Sequence, residues 1–254
     1  MACGIASPAA AQATPPANPP NGTPAVEFLP RFDFVLGINY LVSDDPRFVW
    51  DARFGGELDF IAFGRGRATF TAEYQAMLGE EFRVFDPNQG DYTLAGALSA
   101  RARGVELAGV FHHVSRHLSD RPKRQAVDWN MIGARVRTGV VRGRTELGTR
   151  VDVRRVVQRS FVDYLWEVDA EAHGRVRAAA RAAVIASGGV RVLGVDGSRD
   201  RGTQYGLRGE GGVRLEGRSA AVELFLGAER RIDPYQLELA AGSWVSAGFR
   251  LVSR

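Results

Sequence analysis

From Arg31 onward the chain falls into segments of about ten residues in which apolar and polar side chains alternate, and a period of two belongs to strands whose two faces meet different surroundings. The contrast is sharpest near residues 143 to 154. There Thr145, Leu147, Thr149, Val151 and Val153 share one face, and Arg144, Glu146, Arg150, Asp152 and Arg154 share the other. In the first segment Phe32, Phe34, Leu36, Ile38 and Tyr40 oppose Asp33, Gly37 and Asn39. In the second, Phe48, Trp50, Ala52, Phe54, Leu58 and Phe60 oppose Asp51, Arg53, Glu57 and Asp59. A lipocalin-like barrel or a large sandwich would bury the apolar face and expose arginine and glutamate at high density. The arrangement that suits both faces is the inverted one, with hydrocarbon outside and charge inside.

The alternation predicts about twelve strands, near residues 31 to 43, 47 to 64, 67 to 79, 92 to 104, 105 to 116, 127 to 139, 142 to 157, 164 to 177, 181 to 195, 203 to 216, 219 to 231 and 238 to 252. The links Gly64-Arg65-Gly66, Ala102-Arg103-Gly104 and Glu216-Gly217-Arg218 are tight, whereas 79 to 91, 116 to 126 and 195 to 202 are long. Short turns on one side and long loops on the other are the habit of bacterial outer-membrane barrels, and an even strand number puts both barrel ends on the short-turn, periplasmic side. A strand of ten or eleven residues rises roughly 33 to 36 Å, and tilted about 40° it covers the ~25 Å apolar band of that membrane. Aromatic residues near segment ends (Tyr40, Phe48, Trp50, Tyr92, Trp129, Trp166, Trp244) are expected to form interface girdles. The expected fold is therefore all-β, a closed antiparallel transmembrane β-barrel of about twelve strands over residues 31 to 254. No stretch approaches the ~18 apolar residues that a spanning helix requires.

The charged face then lines the lumen, where Arg53, Glu57, Arg135, Arg137, Arg144, Glu146, Glu167, Asp169, Glu171, Arg208, Glu210 and Arg250 are expected to pair and fill the space. His112 and His173 point the same way and read as satisfied lumen histidines rather than metal ligands. Net charge is only +4, with 33 basic and 29 acidic residues interleaved along the chain, which argues against a nucleic-acid partner. The single cysteine, Cys3, excludes an internal disulfide framework. Residues 1 to 30 read as a signal-peptide remnant, with Ala11-Gln12-Ala13 resembling a cleavage site, or else as a disordered Ala/Pro-rich arm.

One cluster on the lipid face carries chemistry. In the fifth segment Leu107, Gly109 and Phe111 share a face with His113, Ser115 and His117; in the sixth, Asn130 shares one with Ile132, Ala134 and Val136. Both ends lie toward the long loops. Neighbouring strands run about 4.8 Å apart, so a His and a Ser two residues apart can meet an Asn on the partner. Serine is a poor nucleophile until an imidazole takes its proton, and the imidazole needs a third group to hold its tautomer. Polar groups turned toward hydrocarbon also cost energy unless they bond to one another.

The stretch His113-Val114-Ser115, then Ser119-Asp120, then Trp129-Asn130 resembles the motif of the outer-membrane phospholipase A family: His-x-Ser-Asn-Gly, Ser-Asp and Trp-Asn on a twelve-stranded barrel. The resemblance implies acyl-ester cleavage of membrane phospholipid, with Ser115 as nucleophile, His113 as base and Asn130 as orienting amide. It also implies calcium near the Ser119-Asp120 loop, and a homodimer. Two departures stand out. Arg116-His117 replaces the Asn-Gly whose glycine would help build an oxyanion hole, and the stretch between Ser-Asp and Trp-Asn is longer. The lipid A deacylases are a weaker resemblance, with lipopolysaccharide as substrate and Asp128 in place of the acid. The alternative outside enzymology is a structural or weakly conducting barrel.

Overall fold

A computed structural model describes residues 26–119, 125–235 and 237–253. Cys3 and most of the Ala/Pro-rich arm lie outside the described residues, as do Asp120, Arg121, Lys123 and Arg124. Twelve strands follow in chain order: β1 (Val26–Val42), β2 (Trp50–Phe63), β3 (Gly66–Gly79), β4 (Asp86–Ala102), β5 (Val105–His117), β6 (Val127–Arg142), β7 (Thr145–Ser160), β8 (Tyr164–Ala179), β9 (Ala182–Val195), β10 (Gln204–Glu216), β11 (Ala220–Arg231) and β12 (Gly242–Ser253). Each pairs antiparallel with its chain neighbours, and β12 closes on β1 from Val35↔Val252 to Val42↔Val245. Closure leaves no unpaired sheet edge, which is what a sheet surrounded by lipid requires.

The face assignments hold along the strands, but Arg144, expected in the lumen, stands exposed in the turn before β7. Phe32, Leu36 and Tyr40 are exposed on the wall, as are Leu107 and Phe111, Ile132 and Val136, and Leu147, Val151 and Val153. The intervening Asp33, Glu57, Glu106, Arg135, Arg137, Arg150, Asp152 and Arg154 are buried inside. Their charges pair across the lumen. Arg137 of β6 reaches Glu57 of β2 at 2.6 Å, and Arg231 of β11 reaches Asp51 of β2 at 2.6 Å, joining walls that share no ladder. Arg67 bridges Asp59 at 2.9 Å and Glu106 at 2.7 Å, and Arg150 holds Asp152 and Glu171. Removing one member of such a pair would strand its partner away from water, so the network fixes the spacing of the walls. A cavity of about 90 Å³ remains among Asn39, Glu73, Gln75, Arg208 and Glu229.

The loop end of the lumen is closed differently, by packing. Val114, Trp129, Met131, Tyr164, Leu193 and Ile232 form one buried cluster there, and Leu41, Phe48, Met77 and Trp244 form another. Three of the seven aromatics expected in the girdles therefore point inward: Phe48, Trp129 and Trp244 fill the mouth, while Tyr40, Trp50, Tyr92 and Trp166 stay on the wall. Parity explains Trp129, which shares its face with buried Met131 and Arg135. Phe48 precedes β2 and follows no strand parity.

Strand ends moved where alternation carries no signal. β1 starts at Val26, ahead of Arg31, with a register shift between Phe28 and Arg31 around Leu29 at φ 53°. β4 starts at Asp86 rather than near 92, because Asp86, Asn88, Gln89, Gly90 and Asp91 are all tucked under the loops and no apolar face marks them. β12 starts at Gly242 rather than near 238. The links at 64–65, 103–104, 143–144, 180–181 and 217–219 are the short ones. On the opposite side the connections are longer, apart from 161–163.

Candidate active site

Two cross-strand rows place the candidate residues on the outer wall near the loop end. His113 of β5 lies opposite Asn130 of β6, which lies opposite Gln158 of β7. One row nearer the loops, Phe54, Tyr74, Tyr92, Ser115, Asp128 and Ser160 follow one another across β2 to β7. The rings of the second row touch: Phe54 and Tyr74 centroids are 5.1 Å apart, Tyr74 and Tyr92 4.7 Å. Tyr92 meets the His117 ring edge-on at 5.2 Å. An aromatic girdle thus runs along the wall and ends at the polar cluster.

The hydrogen bonds within the cluster form two groups. His113 Nδ1–H donates to Asn130 Oδ1 at 2.7 Å, and Asn130 Nδ2 donates to Gln158 Oε1. Gln158 Nε2 donates in turn to Asp128 Oδ1 at 3.1 Å and to Ser160 Oγ at 3.4 Å. The bond to Asn130 keeps the proton on Nδ1 and leaves the lone pair of His113 on Nε2, the form a general base needs. That Nε2 bonds to none of the described residues. In the second group, Ser115 Oγ lies 3.0 Å from His117 Nε2. The expected His113 and Asn130 pair is formed, then, and Ser115 sits beside it on the same face with its hydroxyl turned toward the other flanking histidine.

Gln158 escapes a parity reading. Arg154 and Val156 point inward, so residue 158 is due inside as well. Val157 is an extra residue, however: Asn130 pairs with Gln158 and Met131 with Val156, a β-bulge that turns Gln158 onto the lipid face beside Asn130. Bulges leave no clear mark in sequence, although a polar residue ending the run Arg155-Val156-Val157-Gln158 was the one available sign. Asp128, the alternative acid, faces outward opposite Ser115, but its carboxylate is engaged by Gln158 rather than by a histidine.

Arg116 points the other way. It is fully buried in the loop-end plug, 5.4 Å from the Trp129 ring and donating to the Asp233 carbonyl at 3.3 Å, so it takes no part in the outer-wall cluster. Arg116 and His117 both belong to β5 and pair with Asp91 and Gly90 of β4. The position where the phospholipase motif has its glycine is therefore strand, not loop.

No family model and no curated protein matches this sequence. Solved structures do. LpxR from Salmonella typhimurium superposes with a TM-score of 0.52 at 8% identity, over 87% of this chain and 99% of that one. Outer membrane phospholipase A from Escherichia coli gives 0.54 at 10% identity, over 89% and 98%. A Salmonella typhi outer membrane phospholipase dimer with bound calcium gives 0.53 at 9% identity, over 88% and 90%. The chain has the fold of the outer-membrane β-barrels. In that fold the short turns face the periplasm and the loops the cell exterior.

Calcium does not fit what the described residues offer. It takes six to eight oxygens, typically with several carboxylates. Opposite Ser115 the wall supplies the Asp128 carboxylate, already bonded by Gln158, and no group of three or more His, Cys, Asp or Glu suited to a metal occurs among the described residues. Asp120 lies outside them.

Proposed function

We propose that this barrel is an outer-membrane lipid acyl-ester hydrolase, phospholipase A-like, with Ser115 as nucleophile, His113 as general base and Asn130 as the residue that orients it. The observation that carries the reading is the 2.7 Å bond from His113 to Asn130 on the lipid-facing wall, with Ser115 two residues along the same face. A fixed imidazole beside a hydroxyl is costly to keep against hydrocarbon and has no part in packing the barrel.

Ser115 stands between two imidazoles, His113 two residues before it and His117 two residues after it, and rotation about its χ1 carries Oγ from one toward the other. With Oγ turned to His113, the hydroxyl proton passes to Nε2 as Oγ attacks the acyl carbonyl. The tetrahedral oxyanion collapses with loss of the glycerol or sugar oxygen, which takes the proton from His113. Water then cleaves the acyl-enzyme by the same base and releases a fatty acid. His117, whose Nε2 lies 3.0 Å from Ser115 Oγ, stands at the motif position of the phospholipase glycine, and its ring can supply an N–H to the developing oxyanion. Acyl chains of phospholipid or lipopolysaccharide reach Ser115 laterally along the Phe54, Tyr74 and Tyr92 row. No step is routed through a metal, and a homodimer is the assembly this reading carries over from the dimeric phospholipase.

The test is fatty-acid release from phospholipid and from purified lipopolysaccharide by folded protein in detergent, with and without calcium. Release by the wild type and none by Ser115→Ala supports the reading. Release unchanged in Ser115→Ala removes Ser115 as the nucleophile, and no release from either lipid by wild type removes the hydrolase reading and leaves a non-enzymatic barrel. If Asp128→Ala is more damaging than Asn130→Ala, the deacylase-like assignment replaces the phospholipase-like one.

A further inference from the structure

Among the described residues the two rims of the barrel carry opposite charge, and the short-turn rim leaves four of its tip arginines without an ion pair. All five short turns hold an exposed arginine at the tip: Arg65, Arg103, Arg144, Arg181 and Arg218. The side chains of Arg65, Arg103, Arg144 and Arg181 make no ion pair or hydrogen bond with the described residues. Exposed carboxylates on that rim are sparse: Glu27 stands open at the start of β1, but Asp59 and Glu106 are buried against Arg67, and Glu146 and Glu216 are both held by Arg175. The loop rim is the reverse. It exposes Asp44, Glu80, Glu81, Asp196, Asp200 and Glu238, and its described arginines are engaged: Arg47 by Asp45 and Glu238, Arg201 by Asp163 and Asp233, Arg199 by the Phe161 carbonyl.

Turn chemistry alone does not account for the basic rim. The link at 103–104 has both residues in the left-handed region, Arg103 at φ 50° and Gly104 at φ 79°. A two-residue hairpin of that kind favours Asn-Gly or Asp-Gly, and arginine there costs more than either. A strained residue that is kept argues for what its side chain does. Depth points the same way, because exposed apolar side chains stop just short of the tips: Phe63 before Arg65, Val140 and Val141 before Arg144, Leu215 before Arg218. Guanidinium groups at that level stand where the phosphates of the surrounding leaflet lie. Between the turns at 143–144 and 180–181, a recess of about 350 Å³ is bordered by Arg144 and Arg177, with its two glutamates already neutralised by Arg175.

We propose that the periplasmic rim is a phosphate-binding collar that recruits anionic phospholipid from the inner leaflet through the turn arginines. The planar guanidinium binds two phosphate oxygens at once and stays charged at any physiological pH, which suits this task better than lysine. The collar is independent of the Ser115 cluster, which lies at the other end of the wall.

Delipidated full-length protein in a neutral detergent is titrated with short-chain phosphatidylglycerol, and bound lipid is counted by native mass spectrometry. Wild type binds phosphatidylglycerol in preference to zwitterionic phosphatidylcholine. Arg65→Gln, Arg103→Gln, Arg144→Gln, Arg181→Gln and Arg218→Gln combined lower phosphatidylglycerol affinity about tenfold or more, since one arginine at an anionic surface is worth roughly a fivefold change. The matching set of lysine replacements retains most of the binding, and the loop-side Arg199→Gln changes nothing. Heat-dependent gel mobility confirms that each variant is closed. Equal binding of the two lipids by wild type, or undiminished phosphatidylglycerol binding by the glutamine set, overturns the collar. Charge-dependent capture on purified cell-wall sacculi without preference for phosphatidylglycerol overturns it in favour of a polymer ligand.

Discussion

The β5–β6 pair has two faces at its loop end that are built on opposite principles. Inside, Val114, Trp129 and Met131 are close-packed against Tyr164, Leu193 and Ile232, and every one of them is nearly inaccessible. Outside, on alternate residues of the same two strands, His113, Ser115, His117 and Asn130 form a polar cluster facing lipid, joined by hydrogen bonds and backed by nothing but the wall. The inner face is explained by the barrel's need to close its mouth. The outer face is not, since apolar side chains there would serve the barrel better. Where a fold bears a cost it does not need, chemistry is the reason to look for, and the packed inner face supplies the rigidity such chemistry requires.

That contrast makes substitutions on the two faces separable. On the proposed hydrolase reading, Ser115→Ala lowers acyl-ester turnover on the order of 10⁴-fold or more and leaves the unfolding midpoint unchanged, and His113→Ala behaves alike. Parallel loss of stability in either variant would break the distinction. Trp129→Ala does the reverse first, costing about 3 to 5 kcal/mol in denaturant unfolding as the plug loses its largest side chain. Any fall in its turnover should follow the folded fraction. Asn130→Ala sits between, with turnover reduced on the order of 10²-fold at nearly constant KM, because the base keeps its chemistry and loses its orientation. Gln158→Ala, one link further out, reduces turnover several-fold and is rescued by Glu only if acceptance from Asn130 Nδ2 is what matters.

The smallest effect belongs to the loop rim. Arg201 clamps Asp163 at 2.6 Å and Asp233 at 2.8 Å across the mouth. Burial pushes the Asp163 carboxyl up, but its bonds to Arg201 outweigh that and hold it below the usual carboxylate range. A carboxyl depressed in the folded state contributes stability that is fully present above its unfolded pKa and lost as pH falls through the folded one. Acid therefore loosens the rim only below the ordinary carboxylate range, and Asp163→Asn removes that part of the pH dependence. An unfolding profile of Asp163→Asn identical to that of the wild type below pH ~4 would contradict the clamp.

Alternation made the barrel legible because lipid and paired charge are the two strongest opposites a strand can separate. It placed His113, Ser115 and Asn130 on one wall without any knowledge of closure, and the register then set His113 opposite Asn130. Three things lay beyond it. Gln158 depends on a bulge at Val157, and a single inserted residue inverts parity silently. Phe48 and Trp244 are girdle-like in position but fill the mouth, a matter of loop packing. The hydroxyl of Ser115 bonds to His117 and not to His113, a rotamer choice that residue spacing leaves open.

The most direct measurement is covalent trapping. Folded wild-type protein in detergent is treated with a long-chain alkyl fluorophosphonate, whose fluoride leaves as an activated serine oxygen bonds to phosphorus, and the adduct is mapped by peptide mass spectrometry. The account predicts a single adduct on Ser115 that disappears in His113→Ala and persists, more slowly, in Asn130→Ala. An unlabelled Ser115, or labelling that survives His113→Ala and is lost only in His117→Ala, would contradict the assignment of His113 and Asn130 as the working pair.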